Sequence, residues 1–260
     1  MSNDSSKPVA AGEANPYRQW PWGPQEAIIV SVVAYLAGQL LVGGLFGLAL
    51  AAMGWSAGRI DNAFNGIGAQ FGLVLTAEGL SLLTLWWFIL YRKAHWRIVG
   101  FLRSPRWKDV GLALLGFVIY FALLLTAAGL ARAIFHINLD QKQELGFDHI
   151  AGSSEKIMAF VSLVLVPPFV EETIFRGFLF TGLRKKLPLV AAAILTSLLF
   201  AGPHLLESSS GPLWIAGIDT FVMSLVLCYL REKTGALWSG ILIHMLKNGV
   251  AFLFLYVFVS

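Results

Sequence analysis

Seven long apolar runs constrain the fold of this chain more than any other feature of its sequence. A helix needs about 20 mainly apolar residues to cross the hydrocarbon core of a bilayer. Runs of about that length lie at 27–53, 67–91, 110–131, 157–181, 188–204, 213–230 and 236–259. Hydrophobic residues make up 57% of the 260 residues and charged residues only 13%, which is more apolar than a soluble fold of this size can bury. We therefore expect an all-α, polytopic transmembrane helix bundle with about seven to eight spans.

The first 26 residues differ from the rest of the chain. They are polar and rich in Pro, Ser and Asn, and they contain no short apolar core and no small-residue cleavage site. A removable signal peptide is therefore not expected, and residues 1–26 are predicted to be a polar cytoplasmic tail that is disordered or interfacial. Residues 27–260 form the predicted membrane domain.

Lys and Arg alternate in number between successive connections. The N-terminal segment and the second, fourth and sixth connections hold thirteen of them, whereas the other connections hold four. Cytoplasmic loops collect basic residues, so we expect a cytoplasmic N-terminus. We favour the bacterial plasma membrane over the endoplasmic reticulum. Basic loops beside anionic lipid explain the net charge of +4, so membrane lipid is an expected partner and nucleic acid is not.

Eight ionisable residues lie inside the predicted spans, and their distribution is uneven. One of them, Glu78, is in the second span, and the other seven are in the last four spans: Glu171, Glu172, Arg176, His204, Asp219, His244 and Lys247. An ionisable group at this depth costs about 2.5–3.5 kcal/mol on insertion scales, so each is a candidate functional residue. We therefore predict a buried polar cavity among the last four spans. Asp219 and Lys247 have similar depths on neighbouring spans and are expected to neutralise each other.

Spacing along the fourth predicted span gives its two carboxylates different surroundings. Glu172 and Arg176 are four residues apart, which favours an ion pair on one helix face. Glu171 points about 100° away from that face and is left free. Pro167 and Pro168 remove two backbone donors just before the carboxylates, which predicts a kink and open carbonyl groups beside the site.

Three short motifs follow one another on separate spans: EExxxR at 171–176, FxxxH at 200–204 and HxxxN at 244–248. Together they resemble the type II CAAX prenyl endopeptidase family, also called CAAX proteases and bacteriocin-processing enzymes, a group of glutamic intramembrane proteases. The resemblance covers about residues 110–259. It implies an endopeptidase that hydrolyses a peptide bond of a membrane-associated protein or peptide, prenylated or not.

The resemblance also implies a role for each motif residue. Glu171 is the implied general base that activates water, and His204 is implied to hold and polarise that water. His244 and Asn248 are implied to stabilise the oxyanion of the tetrahedral intermediate. Glu172 and Arg176 are the implied supporting pair. No metal or other cofactor is expected.

Other functions remain open from the sequence. One carboxylate and two histidines can ligate zinc, so a zinc-dependent intramembrane protease using the same residues is one alternative, although HExxH is absent. A proton-coupled transporter is another, because Glu, His and Asp at the midplane suit a proton relay. A third is a non-catalytic immunity protein. The lone Cys228 supports neither a disulfide nor a thiol mechanism.

Overall fold

The described part of the chain consists of helices and the connections between them. The computed structural model describes residues 17–141, 143, 146–147, 150, 152–208 and 211–258, and this part of the chain contains no strand. Its helices are α1 Pro24–Ala52, α2 Ala57–Phe64, α3 Ile67–Tyr91, α4 Trp107–Phe135, α5 Ser153–Arg184, α6 Leu189–His204, α7 Trp214–Thr234 and α8 Trp238–Phe258. A 3-10 turn, Trp96–Val99, lies between α3 and α4. The predicted all-α fold is confirmed.

Six of these helices are long and apolar enough to cross a membrane, namely α1, α3, α4, α5, α7 and α8. The chain is thus a multi-pass membrane protein. The predicted span at 188–204 corresponds to α6, which has only 16 residues and is about 24 Å long. Pro188 caps its start and Pro203 lies in its last turn, so proline limits it at both ends. Among the described residues there are therefore six full-length spans and one shorter apolar helix.

Helices α5 and α7 occupy the centre of the bundle, whereas α1 and α4 lie at its periphery. In the most apolar stretch of each helix, 61% of α7 and 50% of α5 is buried inside the protein, against 17% of α1 and of α4. Leu40, Leu45 and Leu125 are among the exposed apolar side chains of the two peripheral helices. Ionisable residues are tolerated at membrane depth where protein rather than lipid surrounds them, and the position of α5 meets that requirement.

The basic connections meet at one end of the bundle, as alternate crossing requires. Side-chain hydrogen bonds of 2.6–3.0 Å join them to the N-terminal segment and to one another: Arg92 to Pro21, Lys185 to Trp20, Arg184 to Glu232 and Trp238 to Arg103. The alternation that was read from the sequence therefore corresponds to a single basic end of the folded protein.

The segment before α1 packs against the bundle. Trp22 is fully buried; its ring stacks on Phe178 with centroids 4.5 Å apart, and its Nε1 donates to the Phe178 carbonyl at 3.1 Å. Gly182 leaves room for this indole, since a Cβ there would lie 2.7 Å from Trp22 Cδ1. Trp22 is therefore ordered and packed rather than disordered, which composition does not reveal because its packing partner lies 156 residues away. Residues 1–16 of the predicted tail lie outside the described residues.

The buried Trp22 is expected to stabilise the fold, in contrast to a tryptophan at the surface. Trp22→Ala removes a buried side chain worth about 3–5 kcal/mol, which should lower the apparent melting temperature of the purified protein by roughly 5–15 °C. Trp107 is 89% exposed, so Trp107→Ala is the matched control and should change it little. Equal shifts in the two variants would contradict the packing of this segment.

Candidate functional site

Four of the motif residues line one cavity of about 640 Å³. Glu171 reaches it from α5, His204 from the end of α6, and His244 and Asn248 from α8. Three helices that are separate in sequence therefore bring the four predicted catalytic residues to one space, as the depths of these residues suggested.

Glu171 is the carboxylate that faces the cavity. Its side chain is 10% exposed, and no described residue donates a hydrogen bond to it. The nearest ionic contact is His244 Nε2, which lies 3.7 Å from Glu171 Oε2. That separation is too long for a hydrogen bond, so the carboxylate oxygens remain available to a molecule in the cavity.

Glu172 points away from the cavity and is fully buried. Its Oε1 accepts a hydrogen bond of 2.8 Å from Arg176 Nη1, so the predicted ion pair is confirmed. The same oxygen lies 3.1 Å from His244 Nδ1, a contact that the sequence did not predict. Helix α8 comes this close because Gly240, one turn before His244, has no side chain; a Cβ there would lie 3.3 Å from Glu172 Oε2.

The contact with Glu172 determines how His244 is oriented. A carboxylate oxygen accepts only, so Nδ1 of His244 must carry the hydrogen that joins it to Glu172. Nε2 then faces Glu171 and the cavity. A carboxylate that binds one ring nitrogen in this way fixes both the ring orientation and the tautomer.

Asn248 donates a hydrogen bond to a carbonyl group of α5 that proline leaves without a backbone partner. The Leu163 carbonyl would normally accept from the amide of residue 167 in an α-helix, or from that of residue 168 in a π-helix, and both are proline. Asn248 Nδ2 donates to this carbonyl at 2.8 Å. The prolines therefore leave an open carbonyl group beside the site, as predicted, and Asn248 of α8 donates a hydrogen bond to it. The second hydrogen of the same amide group is not used by this bond.

Two π-helical segments flank the carboxylates within α5. They span Val161–Leu165 and Thr173–Leu179, with an ordinary α-helical segment, Val166–Glu172, between them. π-segments widen a helix locally and occur frequently at functional sites. The helix is therefore widened on either side of Glu171 and Glu172, and the kink expected at the prolines stays a prediction.

His204 lies at the cavity without touching Glu171. Its Nδ1 is 2.9 Å from the Phe200 carbonyl and must donate to it, and its Nε2 is 3.8 Å from Glu207 Oε1. Among the described residues no hydrogen bond joins His204 to Glu171. A molecule lying between their side chains is therefore needed to link them.

Helices α1 and α3 also line the cavity. Tyr35 and Gln39 of α1 and Glu78 of α3 line it, together with Glu207 beyond the end of α6. The cavity is predicted among the last four spans, but it extends beyond them to α1 and α3. The one sequence signal for this wall was Glu78, a lone acid within an apolar run.

Asp219 and Lys247 neutralise each other as predicted. Lys247 Nζ lies 3.1 Å from Asp219 Oδ2. The sequence did not reveal a third member, Tyr120 of α4, whose hydroxyl donates to Asp219 Oδ1. The ion pair links α7 to α8, and the hydrogen bond from Tyr120 links α7 to α4.

The described side chains do not form a ready metal site. No group of three or more His, Cys, Asp or Glu side chains among them is arranged to hold a metal ion. Glu171 and His244 are neighbours, whereas His204 Nδ1 is bound to a backbone carbonyl. The three residues proposed for zinc thus do not converge on one point in this conformation, and metal independence remains a prediction.

Comparison with known proteins points to one family. Residues 153–250 match the family model described as type II CAAX prenyl endopeptidase Rce1-like. No curated protein and no solved structure matches the chain. The matched segment runs from the start of α5 into α8 and contains all three motifs, so the resemblance is confirmed over a shorter stretch than 110–259. This part of the chain is similar to the CAAX-type endopeptidase family, and the similarity points to an intramembrane protease.

The buried Glu172 and Arg176 should be needed for stability. Either Glu172→Gln or Arg176→Gln leaves a buried charge without its partner, which is expected to cost about 3–5 kcal/mol of unfolding free energy. Glu26→Gln is the matched control, because Glu26 pairs with Arg92 at 3.1 Å on the surface and such pairs contribute about 1 kcal/mol or less. Thermal unfolding in detergent measures the difference. Unchanged melting in Glu172→Gln would contradict the role of this pair.

Proposed function

We propose that this protein is an intramembrane glutamic endopeptidase that hydrolyses a peptide bond of a membrane-associated protein or peptide. The observation that carries the proposal is the meeting of Glu171, His204, His244 and Asn248 at one buried cavity, within the segment that matches the endopeptidase family. Peptide hydrolysis by water needs a base within reach of the water and donors aimed at the developing oxyanion. The cavity offers both.

In this proposal Glu171 activates the water. Its carboxylate faces the cavity and accepts a proton from a water molecule, whose oxygen attacks the scissile carbonyl carbon. His204 donates through Nδ1 to Phe200, so Nε2 of the neutral ring can accept a hydrogen bond from the same water. Glu171 then returns the proton to the leaving amine, which completes hydrolysis.

The oxyanion is stabilised from α8. His244 and Asn248 line the cavity, and Nε2 of His244, when protonated, and the second hydrogen of the Asn248 amide are the proposed donors to the carbonyl oxygen as its charge develops. Glu172 acts as a positioning residue because it holds His244 through Nδ1.

Replacing the proposed base should abolish hydrolysis. Glu171→Gln keeps the size of the side chain but removes the proton acceptor, and loss of a general base is expected to cost at least about a hundredfold in rate. The measurement is cleavage of test peptides by purified protein in detergent, followed by mass spectrometry.

Glu26→Gln is the control for loss of one carboxylate and should retain full activity. Full activity in Glu171→Gln would end the glutamic-protease assignment. A folded wild-type protein that cleaves no peptide would instead support the immunity-protein or transporter alternatives.

The proposed reaction requires no metal. The purified protein is expected to hold no stoichiometric zinc and to keep its peptidase activity after prolonged chelation, because Glu171 itself is the proposed base for the water molecule. Elemental analysis and activity measured before and after chelation test this expectation. About one zinc per chain, with activity lost on chelation and restored by zinc alone, would favour the metalloprotease alternative.

We also propose a cytoplasmic N-terminus in a bacterial plasma membrane, which places the basic end of the bundle inside the cell. Two exposed serines allow a matched test in a Cys228→Ser background: Ser56 between α1 and α3, and Ser104 between α3 and α4. In intact cells, an impermeant thiol reagent should label Ser56→Cys and should reach Ser104→Cys only after permeabilisation. The reverse pattern would overturn the orientation.

A further inference from the structure

Glu78 is a buried acid that the proposed reaction does not use. It lies near the middle of α3, is 3% exposed and lines the same cavity as Glu171. Gln39 Nε2 of α1 donates to its Oε1 at 3.1 Å, whereas its Oε2 has no hydrogen-bond partner among the described residues. A buried carboxyl oxygen without a partner is costly, so its retention at membrane depth calls for a ligand or a structural role.

The structural role is weakly supported, because α1 and α3 already pack closely without this pair. Gly38, the neighbour of Gln39, brings the two backbones together: a Cβ there would lie 2.5 Å from the Ala77 carbonyl oxygen. The missing side chain at Gly38 therefore accounts for the close approach of the two helices.

The described cations at the cavity are already engaged elsewhere. Lys247 lines the cavity and is bound by Asp219 at 3.1 Å, whereas Arg176 lies outside the cavity and is bound by Glu172. Glu207 is hydrogen-bonded to Gln143 at 2.5 Å and lies beside His204. With these pairs removed, the carboxyl groups of Glu78, Glu171 and Glu207 leave the cavity with an excess of acidic groups over cationic ones.

We propose that Gln39 and Glu78 form a subsite for a cationic amine of the substrate. This rests on the proposed function of the cavity as a peptide-binding site. A protonated amine or guanidinium supplies the hydrogen-bond donor that Glu78 Oε2 lacks and offsets the acidic excess, while Gln39 holds the carboxyl group in position. The cation comes either from a Lys or Arg side chain or from a free N-terminus near the cleaved bond.

Peptide binding to the Glu171→Gln protein tests the subsite without hydrolysis. The probes are two pools of N-acetylated, amidated heptapeptides with mixed apolar residues around a central lysine or a central acetyl-lysine. A third pool has a free N-terminus and only acetyl-lysine, which distinguishes the two sources of the cation. Mass spectrometry of the peptides retained on immobilised protein gives the ratio of each cationic pool to the acetylated one.

At least one of the two cationic pools should be retained roughly tenfold or more over the acetylated pool, as expected for a hydrogen bond to a charged group. We call this preference the cationic ratio. It should fall towards one when Glu78→Gln is added. Adding Asp61→Asn, which removes an exposed carboxylate outside the cavity, should leave the ratio unchanged. If Glu78→Gln prevents folding, Gln39→Leu replaces it and should lower the ratio.

Two results would overturn the subsite: equal retention of all pools, or a cationic ratio that does not respond to Glu78→Gln. The wild-type protein is tested separately for cleavage of the same pools. Glu78-dependent retention of a cationic pool without any cleavage would support the subsite and refute the endopeptidase. Cleavage without preferential retention of a cationic pool would support the endopeptidase and refute the subsite.

Discussion

One buried carboxylate oxygen connects the two halves of the site. Oε1 of Glu172 accepts from Arg176 on its own helix and from His244 on α8, and all three side chains are almost completely buried. An unpaired charge at this depth would cost several kcal/mol, so the ion pair is needed for the carboxylate to be there at all. Once it is there, the carboxylate holds the imidazole of α8 in one orientation and directs Nε2 at the cavity.

The second residue of the HxxxN motif extends the same contact along α5. Asn248, one turn beyond His244, donates to the Leu163 carbonyl that Pro167 and Pro168 leave without a backbone partner. The two motif residues of α8 therefore bind α5 at two points: His244 binds a side chain, and Asn248 binds a backbone carbonyl group. One π-segment of α5 precedes Glu171 and the other follows it, and Glu171 faces the cavity. The prolines thus have a part in the site, because they provide the acceptor for Asn248.

The sequence predicted those features that depend on spacing within one helix or on depth in the membrane. The Glu172–Arg176 pair follows from a separation of four residues, and the apolar runs define the spans. Contacts between helices were predicted only where depth alone suffices, as for Asp219 and Lys247. The bond from His244 to Glu172 depends on the close approach of α8 at Gly240, which no local pattern encodes. Burial of Trp22 and the presence of α1 and α3 in the wall of the cavity likewise depend on packing between distant segments.

The most direct test of the proposed site is an experimental structure of the Glu171→Gln variant with an uncleaved peptide in the cavity. The scissile carbonyl oxygen is expected to lie about 3 Å from His244 Nε2 and from Asn248 Nδ2, with the carbonyl carbon facing the side chain at position 171. A peptide bound with its carbonyl oxygen turned away from α8, or held outside the cavity, would contradict the proposal that these residues form an oxyanion site.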